Sequence, residues 1–530
     1  MEAIHIFLFC ITFLLFFIRP KFLRKSNTKN LPPGPNGLPI IGNLHQLGPR
    51  PHETLSAMAK EFGPLMTLKF GCVTTIVASS AETTKEILHT HDQTFSNRPV
   101  PDSVATQPHP EGTLAWVPGD HRWRNRRRIC STQMFTSQRL DLLQHFRHKK
   151  VHQLIAHINK YKGTPVDIGS LAFATTLNLI SNTIFSVDIV DPDFESAQEF
   201  KELVWRIMMD AGKPNVSDYF PMLKRFDLQG VRRHVQVSYK RMHEIFDDII
   251  ATRLKHRETD KTTRHGDFLD VLLDQMQEDG SDFSIDTIKP LILDLFIAGS
   301  DTSGLTTEWA MAELLRKPKT LQKARDEVLQ VIGTHGEIKE SDIDRVPYIQ
   351  AVVKETLRLH PPAPLLLPYI AGNDVEVSGY TIYKGNQVLV NAWSIGRNPK
   401  YWIDPLSFEP ERFVGSNLDF KGRDFEYIPF GAGRRICPGL PLAQRMVILM
   451  LGSILHSFNW KLPEGITPEN LDMSEQFGIT LKKANSLCAV PFDRAENYVI
   501  LLGKTGKLSI AVASGYCQPQ RRLKICGDNY

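Results

Sequence analysis

The chain has 530 residues, 42% of them hydrophobic and 23% charged, with 34 glycines, 34 prolines and 9% aromatics. This is the balance of a globular protein with a sizeable core, and it excludes collagen, long disorder and a multi-span membrane protein. A formal charge of +5 is too dilute to argue for nucleic acid, and the seven cysteines (Cys10, Cys72, Cys130, Cys437, Cys488, Cys517, Cys526) are odd in number and lack any C-x-x-C, so neither a disulfide framework nor a zinc site is indicated.

In chain order, the first feature is the apolar stretch Ala3 to Ile18, followed at once by Arg19, Lys21, Arg24, Lys25 and Lys29. About 18 helical residues at ~1.5 Å each reach ~27 Å, enough to span a thin endoplasmic-reticulum bilayer. The basic residues follow the apolar stretch and no small-x-small cleavage site is visible. Residues 1–30 therefore read as an uncleaved anchor rather than a signal peptide, with the rest of the chain on the cytosolic side. Leu31-Pro32-Pro33-Gly34-Pro35 forms a stiff extended connector, because its prolines fix φ and forbid helix.

From about residue 52 to 490, long apolar-periodic stretches such as Val235 to Leu254, Leu291 to Leu315 and Lys319 to Ile332 predict a mainly helical domain. Leu65 to Ala78 and Val375 to Val390 read as strands of small sheets, the second broken by Gly379 and Gly385. The polar stretch His256 to Gly266 reads as an exposed loop.

The strongest local signal is Phe430-Gly431-Ala432-Gly433-Arg434-Arg435-Ile436-Cys437-Pro438-Gly439, ahead of an apolar helical run from Leu440. Its glycines permit a tight loop that brings backbone close to a large flat ligand. Cys437 is placed at a helix start, where the dipole and nearby Arg435 favour thiolate, and a thiolate in such a loop is an axial ligand for haem iron. Ala298-Gly299-Ser300-Asp301-Thr302 lies inside a long helix, where a Thr hydroxyl and a carboxylate can bond back to the helix, open it locally and hold water for proton delivery. Trp123 and Arg127 share a helix face at i,i+4, while Arg124, Arg126 and Arg128 point elsewhere and read as solvated.

F-x-x-G-x-R-x-C-x-G resembles the haem-binding signature of the cytochrome P450 monooxygenases, and all five fixed positions match. The resemblance implies the P450 fold, mainly α with small β-sheets, with haem b between the oxygen-activation helix and the cysteine-loop helix. It makes Cys437 the iron ligand, with Phe430, Gly433, Arg435 and Gly439 in the haem-binding loop. It makes Trp123, Arg127 and Arg435 propionate contacts, and Thr302 and Asp301 the oxygen-activating pair, with Gly299 leaving space above the haem. Lys354-Glu355-Thr356-Leu357-Arg358 and Pro410-Glu411-Arg412-Phe413 are similar to the family's E-x-x-R and P-E-R-F, implying a structural charge network of Glu355, Arg358 and Arg412. E-x-x-R carries little alone, since it recurs as Glu313 to Arg316 and Glu409 to Arg412. After Leu365-Leu366-Leu367-Pro368 the family usually has Arg or His, and here Tyr369 stands, which can donate one hydrogen bond but carries no charge.

Gly503-Lys504-Thr505 imitates a phosphate loop but has Tyr498 where the pattern needs glycine, and no G-x-G-x-x-G follows any strand. Electrons must therefore come from another protein, which the resemblance identifies as an NADPH-cytochrome P450 reductase. The resemblance covers residues 31–492 as the catalytic domain; residues 493–530 do not match and form an atypical tail.

Asp424 to Gly431, Phe477-Gly478-Ile479-Thr480-Leu481 and Val390 to Arg397 look like plant microsomal enzymes of the geraniol-hydroxylase type. That group implies an endoplasmic-reticulum enzyme, in contact with membrane lipid, that uses O2 to hydroxylate a lipophilic small molecule, first of all a terpenoid. It implies an apolar pocket including Phe296, Ala298, Gly299, Leu365, Leu366 and Phe477. The alternatives are a hydroxylase of tyrosine or another phenolic or alkaloid substrate, a haem-thiolate isomerase or dehydratase that needs neither Thr302 nor a reductase, and a membrane-anchored binding protein that needs no Cys437.

Overall fold

The computed structural model describes residues 30–190, 195–260, 264–493, 498–502 and 508–512. The anchor stretch before Asn30 and most of the tail lie outside them. In chain order the principal elements are α1 (Pro51–Phe62), β1 (Leu65–Phe70), β2 (Val73–Ala78), α2 (His121–Gln133), α3 (Gln144–Lys160), β3 (Val166–Asp167), α4 (Ile168–Phe185), α5 (Glu195–Gly212), α6 (Val231–Thr259) and α7 (Phe268–Gln275). There follow α8 (Ile285–Arg316), α9 (Pro318–Ile332), α10 (Pro347–Leu359), β4 (Tyr369–Ile370), β5 (Val375–Val377), β6 (Tyr380–Ile382), β7 (Gln387–Val390) and α11 (Leu440–Ser457). The chain closes with β8 (Asn459–Lys461), β9 (Glu475–Phe477), β10 (Leu481–Lys483), β11 (Cys488–Phe492), β12 (Tyr498–Leu502) and β13 (Leu508–Val512).

The helices form because their apolar residues recur at helical spacing and polar residues cap them. The Ser284 side chain accepts the Thr287 amide while Thr287 returns a bond to the Ser284 backbone, starting α8 with a capping box. Asp167 and Asp120 cap α4 and α2 by accepting the Ser170 and Trp123 amides, without the return bond. The core is centred on α8, which lies against α4, α10 and α11. α4 and α11 are long and apolar enough to cross a membrane, yet their apolar windows are 94% and 72% buried inside the protein, so both are core helices.

The main sheet has the order β1-β2-β7-β4, with β2 and β7 parallel and the other pairs antiparallel. The stretch Val375 to Val390 thus serves two sheets: β5 and β6 form a hairpin at Gly379, and β7 leaves to join β2 after Gly385. β9 and β10 form a second hairpin, with Phe477 opposite Leu481. The polar stretch from His256 departs from the expected loop at its start, because α6 continues through Thr259, whose hydroxyl bonds back to Lys255 and His256 carbonyls. The described part of the tail is the antiparallel pair β12–β13.

Candidate functional site

Cys437 lies between Phe430 and α11. Its amide donates to the Phe430 carbonyl at 3.0 Å, which closes the loop on itself. Gly433 makes this possible: its φ is +65°, and a Cβ there would lie 1.9 Å from the Leu88 carbonyl oxygen. At Gly439, by contrast, a Cβ would meet only ordinary contacts at 3.9 Å. The helix itself begins at Leu440 with Gly439 as N-cap, so Cys437 precedes the helix instead of starting it. Burial pushes the Cys437 thiol up, against the Gly439 and Leu440 amides and the Arg127 charge, which favour thiolate. The cation acting on the sulfur is therefore Arg127 and not Arg435.

The thiol faces a cavity of about 300 Å³. It is lined by Phe430, Gly431 and Cys437, by Ala298 and Thr302 of α8, and by Leu366, Ile479 and Thr480. Trp123, Arg98, Arg127, Arg435 and Tyr369 close one edge. Arg435 donates to the carbonyls of Ser96, Leu114 and Val117 and lies 4.0 Å over the Trp123 ring. Arg127 donates to the Ile436 carbonyl. Arg98 donates to Leu367 and Pro368 carbonyls, lies 4.5 Å over the Tyr369 ring, and leaves its buried Nε without a partner.

None of these three guanidinium groups has a carboxylate within ion-pairing distance among the described residues. Burial pulls the affinity of each for its proton down, and Arg435 falls to about 9 with the like charges of Arg98 and Arg127 adding to the effect. A buried cation cluster of this kind is costly unless an anion completes it. A flat apolar ligand carrying two carboxylates and an iron at its centre fits this lining: the arginines would meet the carboxylates and Cys437 the metal, against apolar residues that include Phe430 and Ala298. Arg98 was not singled out from the sequence, since Ser96-Asn97-Arg98-Pro99 carries no spacing that marks it. Tyr369 stays at this edge and packs under Arg98.

Asp301 and Thr302 are neighbours on α8 and point differently. The Thr302 hydroxyl donates to the Ala298 carbonyl at 2.8 Å, and Asp301 accepts from Thr480 at 2.7 Å. α8 runs unbroken through both residues, so the expected local opening of the helix is absent. Burial pushes the Asp301 carboxyl up to about 6. A third acid, Asp294, also lines the cavity. It accepts the Leu114 and Ala115 amides at 2.7 and 2.9 Å and is pushed up to about 6 by burial. The sequence held a signal for it: a lone carboxylate in the apolar run Leu291 to Ala298.

Several expected pocket residues fall elsewhere. Phe296 is fully buried against Phe200 and Phe246, on the core side of α8. Gly299 faces α4, where a Cβ would lie 2.6 Å from Ile180, so its small size serves helix packing and not the cavity. Leu365 and Phe477 line a neighbouring cavity of about 280 Å³ that shares Trp116, Ala211, Leu366 and Ile479 with the first. Ala298 and Leu366 line the first cavity. Arg126, read as solvated, is buried and donates to the Glu111 carbonyl at 2.6 Å, whereas Arg124 and Arg128 are exposed.

Beneath the cysteine loop, Arg358 and Glu355 are both fully buried and joined by two bonds of 2.7 and 2.8 Å. Arg412 donates to the same carboxylate at 3.0 Å, and the Glu409 amide donates to it at 2.7 Å. Arg358 also donates to Gly396, Pro405 and Ser407 carbonyls, which staples the segment before the cysteine loop onto α10.

Residues 32–489 match the family model described as Cytochrome P450. The chain is 51% identical over 466 residues to a geraniol 8-hydroxylase of Catharanthus roseus, covering 88% of this chain and 94% of the relative. It is 46% identical over 483 residues to a geranylhydroquinone 3''-hydroxylase of Arnebia euchroma, covering 90% and 97%. A solved zebra fish cytochrome P450 with progesterone superposes with a TM-score of 0.73 at 24% identity, covering 83% of this chain and 99% of that one, which shows the shared fold.

Proposed function

The chain belongs to the cytochrome P450 family, and from that premise we propose that it hydroxylates a terpenoid, in the first instance a terpene alcohol. As a family member it is a monooxygenase that uses haem iron and O2 and draws electrons from NADPH through a reductase. The observation that carries the site assignment is the convergence, on one cavity, of the Cys437 thiol with three arginines, Arg98 and Arg435 buried and Arg127 half-buried, that lack carboxylate partners among the described residues.

Haem held by a cysteine thiolate would supply activation of O2 for insertion of one oxygen atom into a C–H bond. The chain's residues supply the rest. Cys437 provides the thiolate, held by the Gly439 and Leu440 amides. Arg98, Arg127, Arg435 and Trp123 would bind and orient the propionates, while Glu355, Arg358 and Arg412 hold the loop in register. Thr302 gives its own proton to Ala298, which leaves its oxygen lone pairs to accept a hydrogen bond from water in the cavity. Asp301, raised towards neutrality, exchanges protons at cellular pH.

The terpenoid assignment is supported by the relatives named as geraniol and geranylhydroquinone hydroxylases and by the apolar wall of Val104, Leu114, Ile207, Ile297, Leu366 and Ile479. The enzyme is assigned to the endoplasmic-reticulum membrane, held by residues 1–30, with residues 31–492 facing the cytosol and a microsomal NADPH-cytochrome P450 reductase as partner. The test is microsomes containing the chain and the reductase, supplied with NADPH and a panel of terpene alcohols, olefins and tyrosine. A product sixteen mass units heavier than a terpene alcohol is expected. Turnover of tyrosine alone, or product formed without NADPH, overturns the reading.

A further inference from the structure

Thr480 takes part in two things at once. Its side chain borders the cavity, and its hydroxyl is the one hydrogen-bond donor to Asp301 among the described residues, at 2.7 Å. Both residues are buried, at 1% and 6% exposure, so water does not substitute freely for either partner. The aim of the hydroxyl is set by its neighbours in the β9–β10 turn: the Ile479 amide donates to the Met208 carbonyl of α5 at 3.0 Å, and the Leu481 amide to the Pro362 carbonyl at 2.8 Å. Thr480 is thus carried on backbone tied to two other walls of the cavity.

We propose that Thr480 is a positioning residue of the oxygen-activating site, whose hydroxyl fixes the orientation and ionisation of Asp301 and ties both to the wall that substrate touches. The proposal rests on the monooxygenase reading, in which Asp301 carries protons. Asp301 and Thr302 are successive on an unbroken helix, so their side chains diverge by about 100° and cannot both face the cavity. Thr302 takes the cavity side, and Asp301 needs an external group to hold it. Burial raises the carboxyl; the Thr480 bond and the charges of Lys482, from the same hairpin, and Lys201, from α5, lower it. α4, also packed against α8, presents no charged side chain, since Ile168 to Phe185 contains none. The two lysines are held by other partners, Lys482 over the Trp205 ring at 3.7 Å and Lys201 on the Ser170 hydroxyl at 2.8 Å. Thr480 is therefore the group whose removal changes Asp301 most directly.

The variants are Thr480→Val, which keeps the shape and loses the hydroxyl, and Thr480→Ser, which keeps the hydroxyl. Infrared spectra of the full-length holoenzyme across pH 5 to 8 follow the protonated carboxyl band, assigned by its loss in Asp301→Asn. In Thr480→Val its midpoint should rise by about one pH unit, because the ionised form loses its donor. In reductase-containing microsomes the product-to-NADPH ratio should fall several-fold at pH 7, its half-maximal pH moving with the infrared midpoint, and Thr480→Ser should restore both. An unchanged midpoint and ratio in Thr480→Val, with a normal carbon monoxide spectrum, overturns the proposal, as does Thr480→Ser behaving like Thr480→Val. If Thr480→Val fails to take up haem, Thr480→Ala replaces it and is read the same way. A wild type that forms no product from any substrate instead overturns the monooxygenase reading, which separates the two failures.

Discussion

Cys437 needs a loop that presents it, donors that stabilise negative sulfur and a cavity in front of it, and each is traceable to a residue. Gly433 accepts the Leu88 carbonyl where any side chain would clash, Gly439 and Leu440 donate amides, and Arg127 supplies charge. A serine hydroxyl has a far higher pKa and will not ionise there, so Cys437→Ser should abolish the thiolate-type carbon monoxide spectrum and all turnover. Retention of that spectrum would remove Cys437 as ligand. Thr302→Ala takes away a cavity-lining hydroxyl of α8, the one bonded to the Ala298 carbonyl, while leaving its packing nearly intact. Haem content should stay normal while product per NADPH falls at least several-fold and hydrogen peroxide release rises; equal coupling in variant and wild type would exclude the residue from proton handling.

The segment Gly112 to Val117 has little regular structure, and its position comes from partners on other elements. Asp294 of α8 accepts its amides, Arg435 of the cysteine loop donates to its carbonyls, and Arg126 of α2 holds Glu111 just before it. Asp294 carries a measurable cost. Its folded carboxyl is raised from 3.8 to about 6, so the native state binds the proton more tightly than the unfolded chain. That contribution is fully present below about pH 4 and is lost as pH rises through about 6. Asp294→Asn keeps an oxygen for the Leu114 and Ala115 amides and removes the titration. Denaturant unfolding should find the variant gaining on wild type between pH 5 and 7.5, by about 1.4 kcal/mol for a shift of this size. A pH-independent difference would show that burial of the charge is not what raises the carboxyl.

At the scale of the whole molecule, the site is a seam between the helical core and the small sheets. α8 and α11 come from the core, whereas Leu366 and Tyr369 come from the entrance to β4 and Thr480 from the β9–β10 turn. All the proposed haem contacts begin at Arg98, well after the anchor. Deleting residues 1–30 should therefore preserve the carbon monoxide spectrum while most of the protein becomes extractable from microsomes with carbonate, in contrast to the full chain. A truncated chain as resistant to extraction as the full one would show that residues 1–30 are not the anchor.

Local rules made much of this legible in the sequence. Apolar period placed α6, α8 and α9, glycine and β-branched residues placed β1, β2 and the β5–β6 hairpin, and the Cys437 loop, Thr302, Ala298 and the Glu355 network are short motifs whose members sit close along the chain or in fixed order. What the sequence could not decide is which way a side chain faces once helices cross. Phe296 and Gly299 flank Ala298 within one turn of α8, yet they face the aromatic core and Ile180, because each direction around a helix is assigned by whichever neighbour packs there. Arg126 was read as solvated for its charge and is buried because a carbonyl from a distant turn meets it. The pairs Arg98 with Tyr369 and Asp301 with Thr480 join residues 271 and 179 positions apart. No local propensity relates such residues; only tertiary packing brings them into contact.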